Sequence, residues 1–125
     1  MAQAGDRYEV ELKEAHLDWG RYRYTDTRDR IPGEGYVQIP RKWAKEFNIC
    51  IGNKFQAFFE DGFPSFIARA SGNSRKGDVW AKQFQGDGDL KAFGRWFESV
   101  GADVGDFVVV TFTAADQVYF KLDRK

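Results

Sequence analysis

The chain is poor in the residues that metal and nucleophile chemistry use. It holds one cysteine, Cys50, and one histidine, His16. A lone cysteine excludes an internal disulfide and fits a reducing compartment. Zinc-type sites gather several His, Cys or carboxylate ligands at short spacing, which these two residues cannot supply. A Ser-His-Asp arrangement would have to use a single histidine in a loop. The Gly runs GEG and GDGD lack the strand-to-helix setting and the Lys-Ser/Thr that cradle phosphates. Net charge is also missing: 19 Lys and Arg balance 19 Asp and Glu, and the pI is about 6.6. That balance argues against a non-specific nucleic-acid coat but leaves a local basic surface open. No apolar run approaches the roughly 18–20 residues of a membrane span. The first residues lack the apolar segment of a signal peptide. A cytoplasmic protein, with no membrane partner, is the default expectation.

Aromatic residues are abundant. They make up 17% of the 125 residues, and twelve are Phe. One domain of this length can bury a real core. Large flat side chains suit a small β-rich core. Residues 1–6 are small and polar and read as a flexible tail; residues 7–125 read as a single domain.

Along the chain, Tyr8, Val10 and Leu12 alternate with charged residues, the pattern of a half-buried strand. His16 is expected in a loop or on a strand face. Residues 21–35 are dense in Arg and Tyr and end in Pro32, Gly33 and Gly35, as a loop does. A short strand follows at residues 36–39. Pro40 suits the first position of a helix, with Trp43, Ala44 and Phe47 on its apolar face. Cys50, between Ile49 and Ile51, is expected as a small core residue. Gly52-Asn53 turns the chain into a strand through Phe55, Ala57 and Phe59. Asp61-Gly62 signals a hairpin, returning over residues 63–70. Residues 71–78 read as a polar loop tip, and residues 79–84 as a strand ended by residues 85–90. Asp87 or Asp89 is the expected N-cap of a second helix carrying Leu90, Phe93, Phe97 and Val100. Residues 103–106 turn into a last hairpin, 107–113 and 117–122, across Ala114-Ala115-Asp116. The total is seven strands and two short helices.

The chain also repeats itself at a spacing of 53. Trp43 meets Trp96, Ile51 meets Val104, Gly52 meets Gly105, Asn53 meets Asp106, Phe59 meets Phe112 and Phe66 meets Tyr119. Each half reads helix, Gly-Asx turn, strand, tight turn, strand, and a fixed period of this kind marks a repeated unit. Two such units can bury their apolar helix faces around a pseudo-twofold axis.

The segments GYVQIPRKWAKEFNI, FQAFF, LKAFGRWFESVGADVGDFVVVTF and VYFKL resemble the DNA-binding pseudobarrel domains. That family includes the B3 domains of plant transcription factors and the recognition domains of EcoRII-like and BfiI-like restriction endonucleases. The matching features are Ile39-Pro40 entering the first helix, Phe93, Trp96 and Phe97 in the second, and Gly105-Asp106 before the strand at Phe107, Val108, Val109 and Val110. The resemblance covers about residues 8–122. It implies a mainly β, seven-stranded open pseudobarrel with two short α-helices and an internal pseudo-twofold repeat. It also implies sequence-specific binding of double-stranded DNA in the major groove by two loop arms, in a non-catalytic protein linked to restriction or transcription regulation. The first half alone is also similar to the AbrB and MazE regulators, which need a dimer to complete their barrel. A second copy in the same chain favours the pseudobarrel and a monomer.

On that comparison the arms are residues 21–31 and 69–83. Their formal charges are +2 and +3, against −5 for the rest of the chain. Lys and Arg contacts to phosphate position a duplex, Arg forks read guanine, and Asn or Gln reads adenine. The DNA-binding candidates in the first arm are Arg21, Arg23, Tyr24, Thr25, Thr27, Arg28 and Arg30. In the second they are Arg69, Ser71, Asn73, Ser74, Arg75, Lys76, Trp80, Lys82 and Gln83. Arg23, Arg28 and Arg75 suit base reading or phosphate clamping, and Asn73 and Gln83 suit polar base contacts. Thr25, Thr27, Ser71 and Ser74 suit phosphates. Tyr22, Tyr24 and Trp80 suit the core or a strand face equally well.

No catalytic residue, metal site or cofactor is expected. Glu11-Leu12-Lys13 is half of a nuclease motif, without an acidic residue on a preceding strand. A separate catalytic or regulatory partner would then supply any cleavage or regulatory step. A protein-interaction module on the same barrel is the competing expectation, supported by the neutral total charge.

Overall fold

The computed structural model describes residues 3–13, 16, 35–72 and 77–124. Among these it has strands β1 (Arg7–Glu11), β2 (Val37–Gln38), β3 (Lys54–Phe59), β4 (Phe66–Ser71), β5 (Gln83–Gly86), β6 (Phe107–Ala114) and β7 (Gln117–Asp123). Helix α1 spans Arg41–Glu46 and α2 spans Ala92–Val100. The strands form one sheet, ordered β1-β6-β7-β3-β4-β5-β2, rolled into a nearly closed barrel. Every pairing is antiparallel except β3 with β7, which joins the two halves. Across the seam, the Tyr8 hydroxyl on β1 donates to the carbonyl of Gln38 on β2 at 2.9 Å. Among the described residues no helix is long and apolar enough to cross a membrane.

Alternation along the strands builds the core. Phe55, Ala57 and Phe59 on β3, Val108, Val110 and Phe112 on β6, and Val118 and Phe120 on β7 are all buried. Phe59 meets Phe63, Phe66, Phe93, Trp96 and Phe120, mostly edge-to-face or tilted. Such geometries favour the aromatic quadrupoles over face-to-face stacking. Ala57, Ala68, Ala70 and Ala81 are the small residues that leave room for the rings. Helix α2 buries Ala92, Phe93, Trp96 and Phe97 against this cluster.

The spacing of 53 is present in the backbone. Asn48 and Gly101 both take the left-handed conformation that ends their helices, with φ of 54° and 65°. The next N–H closes each helix the same way, Ile49 to the Ala44 carbonyl and Ala102 to the Phe97 carbonyl. Gly52 and Gly105 have φ of 95° and 93°. The Asn53 side chain accepts the N–H of Cys50 and the Asp106 side chain that of Asp103, each at 2.9 Å. Gly52 and Asn53 then bond the backbone of Ala70, whereas Gly105 and Asp106 bond that of Leu12. The place beside β3 filled by β4 is therefore filled beside β6 by β1. The hairpin register shifts too: Ala57 pairs with Phe66, and Val110 pairs with Phe120. The counterpart of Phe66 is thus Phe120, not Tyr119, which lies beside Phe58.

Several local expectations are corrected. Pro40 is the N-cap of α1, with ψ of 139°, and the helix begins at Arg41. The return after Gly62 joins the sheet only at Phe66, so the hairpin loop is longer than a tight turn. Ser71 closes β4 rather than opening a loop. Residues 79–82 are not a strand, and β5 runs over Gln83–Gly86. The cause is local: the Trp80 N–H is held by the Asp78 carboxylate, and Trp80 makes an isolated bridge with Cys50. Lys91 is the N-cap position of α2, and no side chain caps it; Asp89 lies two residues before it and accepts the Lys91 N–H instead. Cys50 is half-buried, not a core residue. His16, expected in a loop or on a strand face, is buried.

Candidate nucleic-acid interface

The first predicted arm, with Arg21, Arg23, Tyr24, Thr25, Thr27, Arg28 and Arg30, lies outside the described residues. So do Asn73, Ser74, Arg75 and Lys76 of the second. The residues flanking both undescribed stretches are described. His16 and Tyr36 bracket residues 17–34. The Tyr36 N–H donates to the His16 carbonyl at 3.1 Å, and their rings meet edge-on at 5.0 Å. The His16 Nδ1 accepts the Lys13 N–H at 3.1 Å. Burial, then the charge of Lys13, lowers the His16 pKa. Burial raises that of Tyr36.

The second arm leaves β4 and returns to β5. Because strand side chains alternate, Arg69 and Ser71 on β4 share the outer face with Gln83 and Gln85 on β5. The register aligns Gln38, Gln83 and Ser71 in one row and Gln85, Arg69 and Lys54 in the next. This face offers amide, hydroxyl and cationic donors side by side. Gln83 donates to the Gln85 side chain at 3.1 Å. Lys54 pairs with Asp87 at 3.0 Å, while Arg69 has no ion pair among the described residues. The Lys82 N–H donates to the Ser71 carbonyl at 2.8 Å, which closes the foot of the arm. A Cβ on Gly72 would lie 3.2 Å from the Lys82 nitrogen, so the two chains pass closely there.

Asp78 organises that foot. Its carboxylate accepts from Arg41 of α1 at 2.6 Å and from the Trp80 N–H at 3.1 Å, and Lys82 stands 3.9 Å away. The Arg41 hydrogen bond, then the Trp80 N–H, holds the Asp78 carboxyl below the usual carboxylate range. Trp80 packs on the core with part of its ring exposed. The structure thus brings Arg69, Ser71, Trp80, Lys82 and Gln83 to one sheet margin.

Three cations outside the predicted arms, Arg41, Lys42 and Lys45, lie on the same chain segment as Trp43. All three are exposed on α1, and Lys42 lies 4.5 Å from the Trp43 ring centre. Residues 43, 44 and 47 define the apolar face, and these three cations fall off it.

The nuclease fragment is a surface ion pair, Lys13 with Glu11 at 3.1 Å. Among the described residues no group of three or more His, Cys, Asp or Glu is placed to hold a metal ion. A separate recess is lined by Glu60, Asp61, Trp96, Val100, Leu122 and Arg124. Its charged groups are engaged: Asp61 by the Trp96 indole N–H, and Arg124 by the Val100 and Gly101 carbonyls.

No family model matches the sequence, and no curated protein matches it. Solved structures do. The hypothetical Arabidopsis thaliana protein At1g16640.1 is similar with a TM-score of 0.58 at 9% identity, over 98% of this chain and 93% of that one. The Arabidopsis FUS3–DNA complex is similar with a TM-score of 0.52 at 18% identity, over 94% of this chain and 95% of that one. At these identities the likeness is one of fold. The chain thus shares the fold of these two structures, and its described residues form the nearly closed seven-stranded barrel with two helices that the pseudobarrel resemblance implies.

Proposed function

We propose that this chain binds double-stranded DNA in a sequence-specific way, in the major groove, through the segments 21–31 and 69–83. The observation that carries the proposal is the whole-length likeness in fold to FUS3, a protein whose structure is a complex with DNA. The chemistry of the second arm supports it. Arg69 is exposed beside Lys54 and Gln85, and Lys82 and Gln83 follow at the foot. Arginine and lysine position a duplex on its phosphates, and arginine and glutamine forks read base edges.

The protein on this reading is a recognition module without a catalytic centre. A cleavage or regulatory step, in restriction or transcription, belongs to another chain or domain. Its neutral overall charge predicts modest affinity from phosphates alone, with a salt dependence set by the number of Lys and Arg contacts in the arms.

The test is titration of a labelled random-sequence duplex, followed by selection of bound duplexes from the pool. A shift near about 50 mM salt that fades towards about 200 mM is expected. Arg28→Ala combined with Arg75→Ala, and separately Arg69→Ala, should weaken it. No shift at the lower salt removes the DNA reading, and a selected pool without a shared sequence removes sequence specificity.

A further inference from the structure

Resting on the DNA reading, we propose that Asp78 is a positioning residue of the interface: it draws Arg41 of α1 and Lys82 of the arm foot together into one phosphate-binding pair. This adds α1 as a contact surface beside the two arms. The geometry is specific. One Asp78 oxygen accepts from Arg41 at 2.6 Å and stands 3.9 Å from the Lys82 ammonium, while the other accepts the Trp80 N–H at 3.1 Å. The carboxylate is largely covered, but the Arg41 and Lys82 side chains are each more than half exposed. A guanidinium has five donors and an ammonium three, so both keep free N–H groups after meeting Asp78. Two cations around one carboxylate leave one positive charge in excess, and Lys42 and Lys45 extend it along α1. A side chain already held in place loses less rotamer freedom on binding, which is the gain from preorganisation.

The sign of one substitution separates this role from simple charge. Removing a carboxylate beside a polyanion should tighten binding if charge alone matters. Asp78→Asn keeps an oxygen for the Trp80 N–H but loses the charge that gathers Arg41 and Lys82. The experiment measures binding of a labelled random-sequence duplex to the full chain across a salt series. The variants are Asp78→Asn, Arg41→Ala, Lys82→Ala and the double variant Asp78→Asn with Arg41→Ala. Thermal melting confirms that each is folded. We expect Asp78→Asn to weaken binding by about fivefold, on the scale of one ordinary hydrogen bond. Arg41→Ala and Lys82→Ala should each lower the salt slope by about 0.9. Arg41→Ala should cost less in the Asp78→Asn background than in the wild type. Unchanged or tighter binding by folded Asp78→Asn overturns the proposal while the DNA reading stands. A wild-type chain that binds no duplex ends both.

Discussion

The Tyr8 hydroxyl lies 2.9 Å from the carbonyl of Gln38 and joins the two strands at opposite ends of the sheet order. Tyr8 is almost fully buried, so the Gln38 carbonyl has this bond in place of one to water. Tyr8→Phe keeps the ring and deletes the bond. The expected cost is about 1 kcal/mol, or roughly 4 °C in Tm for a domain of this size. An unchanged melting temperature would show that the seam is held without it.

His16 should make the fold acid-sensitive. Its pKa is lowered in the folded state, from a usual value of 6.5, by burial and by Lys13. The unfolded chain therefore takes up the proton more readily than the folded one. Stability is fully present above pH 6.5 and is lost as the pH falls through the depressed folded value. His16→Asn offers an oxygen near the Nδ1 position but does not titrate there. Urea midpoints measured from neutral pH down to about pH 5 should decline less in the variant. Parallel declines would assign the acid sensitivity to other groups.

The paired Gly-Asx turns should be unequal in energy. Asn53 is half-buried, while Asp106 is buried and also lies 3.8 Å from Arg124. Asn53→Ala loses a side-chain bond to backbone, at about 1 kcal/mol. Asp106→Ala loses the same bond in a drier place, together with the Arg124 contact, at about 2 kcal/mol or more. Chemical denaturation of both variants gives the comparison; equal losses would contradict it.

Gly86 should be the least replaceable glycine among those described. A Cβ there would lie 2.1 Å from the Asp89 carbonyl oxygen and 2.7 Å from the Ala92 Cβ. Neither is the flexible end of a long side chain, so β5 and the start of α2 would have to separate. Gly86→Ala is expected to cost about 3 kcal/mol, at the upper end of overpacking effects. Gly52→Ala meets nothing within 4 Å and is penalised by its φ of 95° alone. A smaller loss for Gly86→Ala than for Gly52→Ala would refute the steric account.

Features made by neighbouring residues were legible in the sequence. Trp43 with Trp96 and Gly52 with Gly105 showed the repeat, and strand alternation showed the Phe-rich core. The structure adds Asn48 and Gly101, whose shared left-handed conformation links two residue types that do not look alike. Features made by distant residues were not legible. Asp78 counted only as a negative charge within the arm, because its meeting with Arg41 depends on the barrel placing α1 beside the arm foot. The start of β5 was misplaced in part for the same reason, since Trp80 is held by the nearby Asp78 but also bridges to Cys50, far back in the chain, rather than joining a ladder. The counterpart of Phe66 was misplaced by one residue because the second hairpin carries an irregularity between Phe112 and Ala114, which sets Val110 opposite Phe120.

That place taken by β1 has a consequence in time. Among the described strands, β1 comes earliest in the chain and pairs with β6 alone, Tyr8 opposite Val110 and Val10 opposite Val108. Closing so long a loop costs entropy before any contact rewards it. On the ribosome, β1 must wait for β6 to emerge before this pairing can form, so the earliest of the described strands cannot be the first of them to dock.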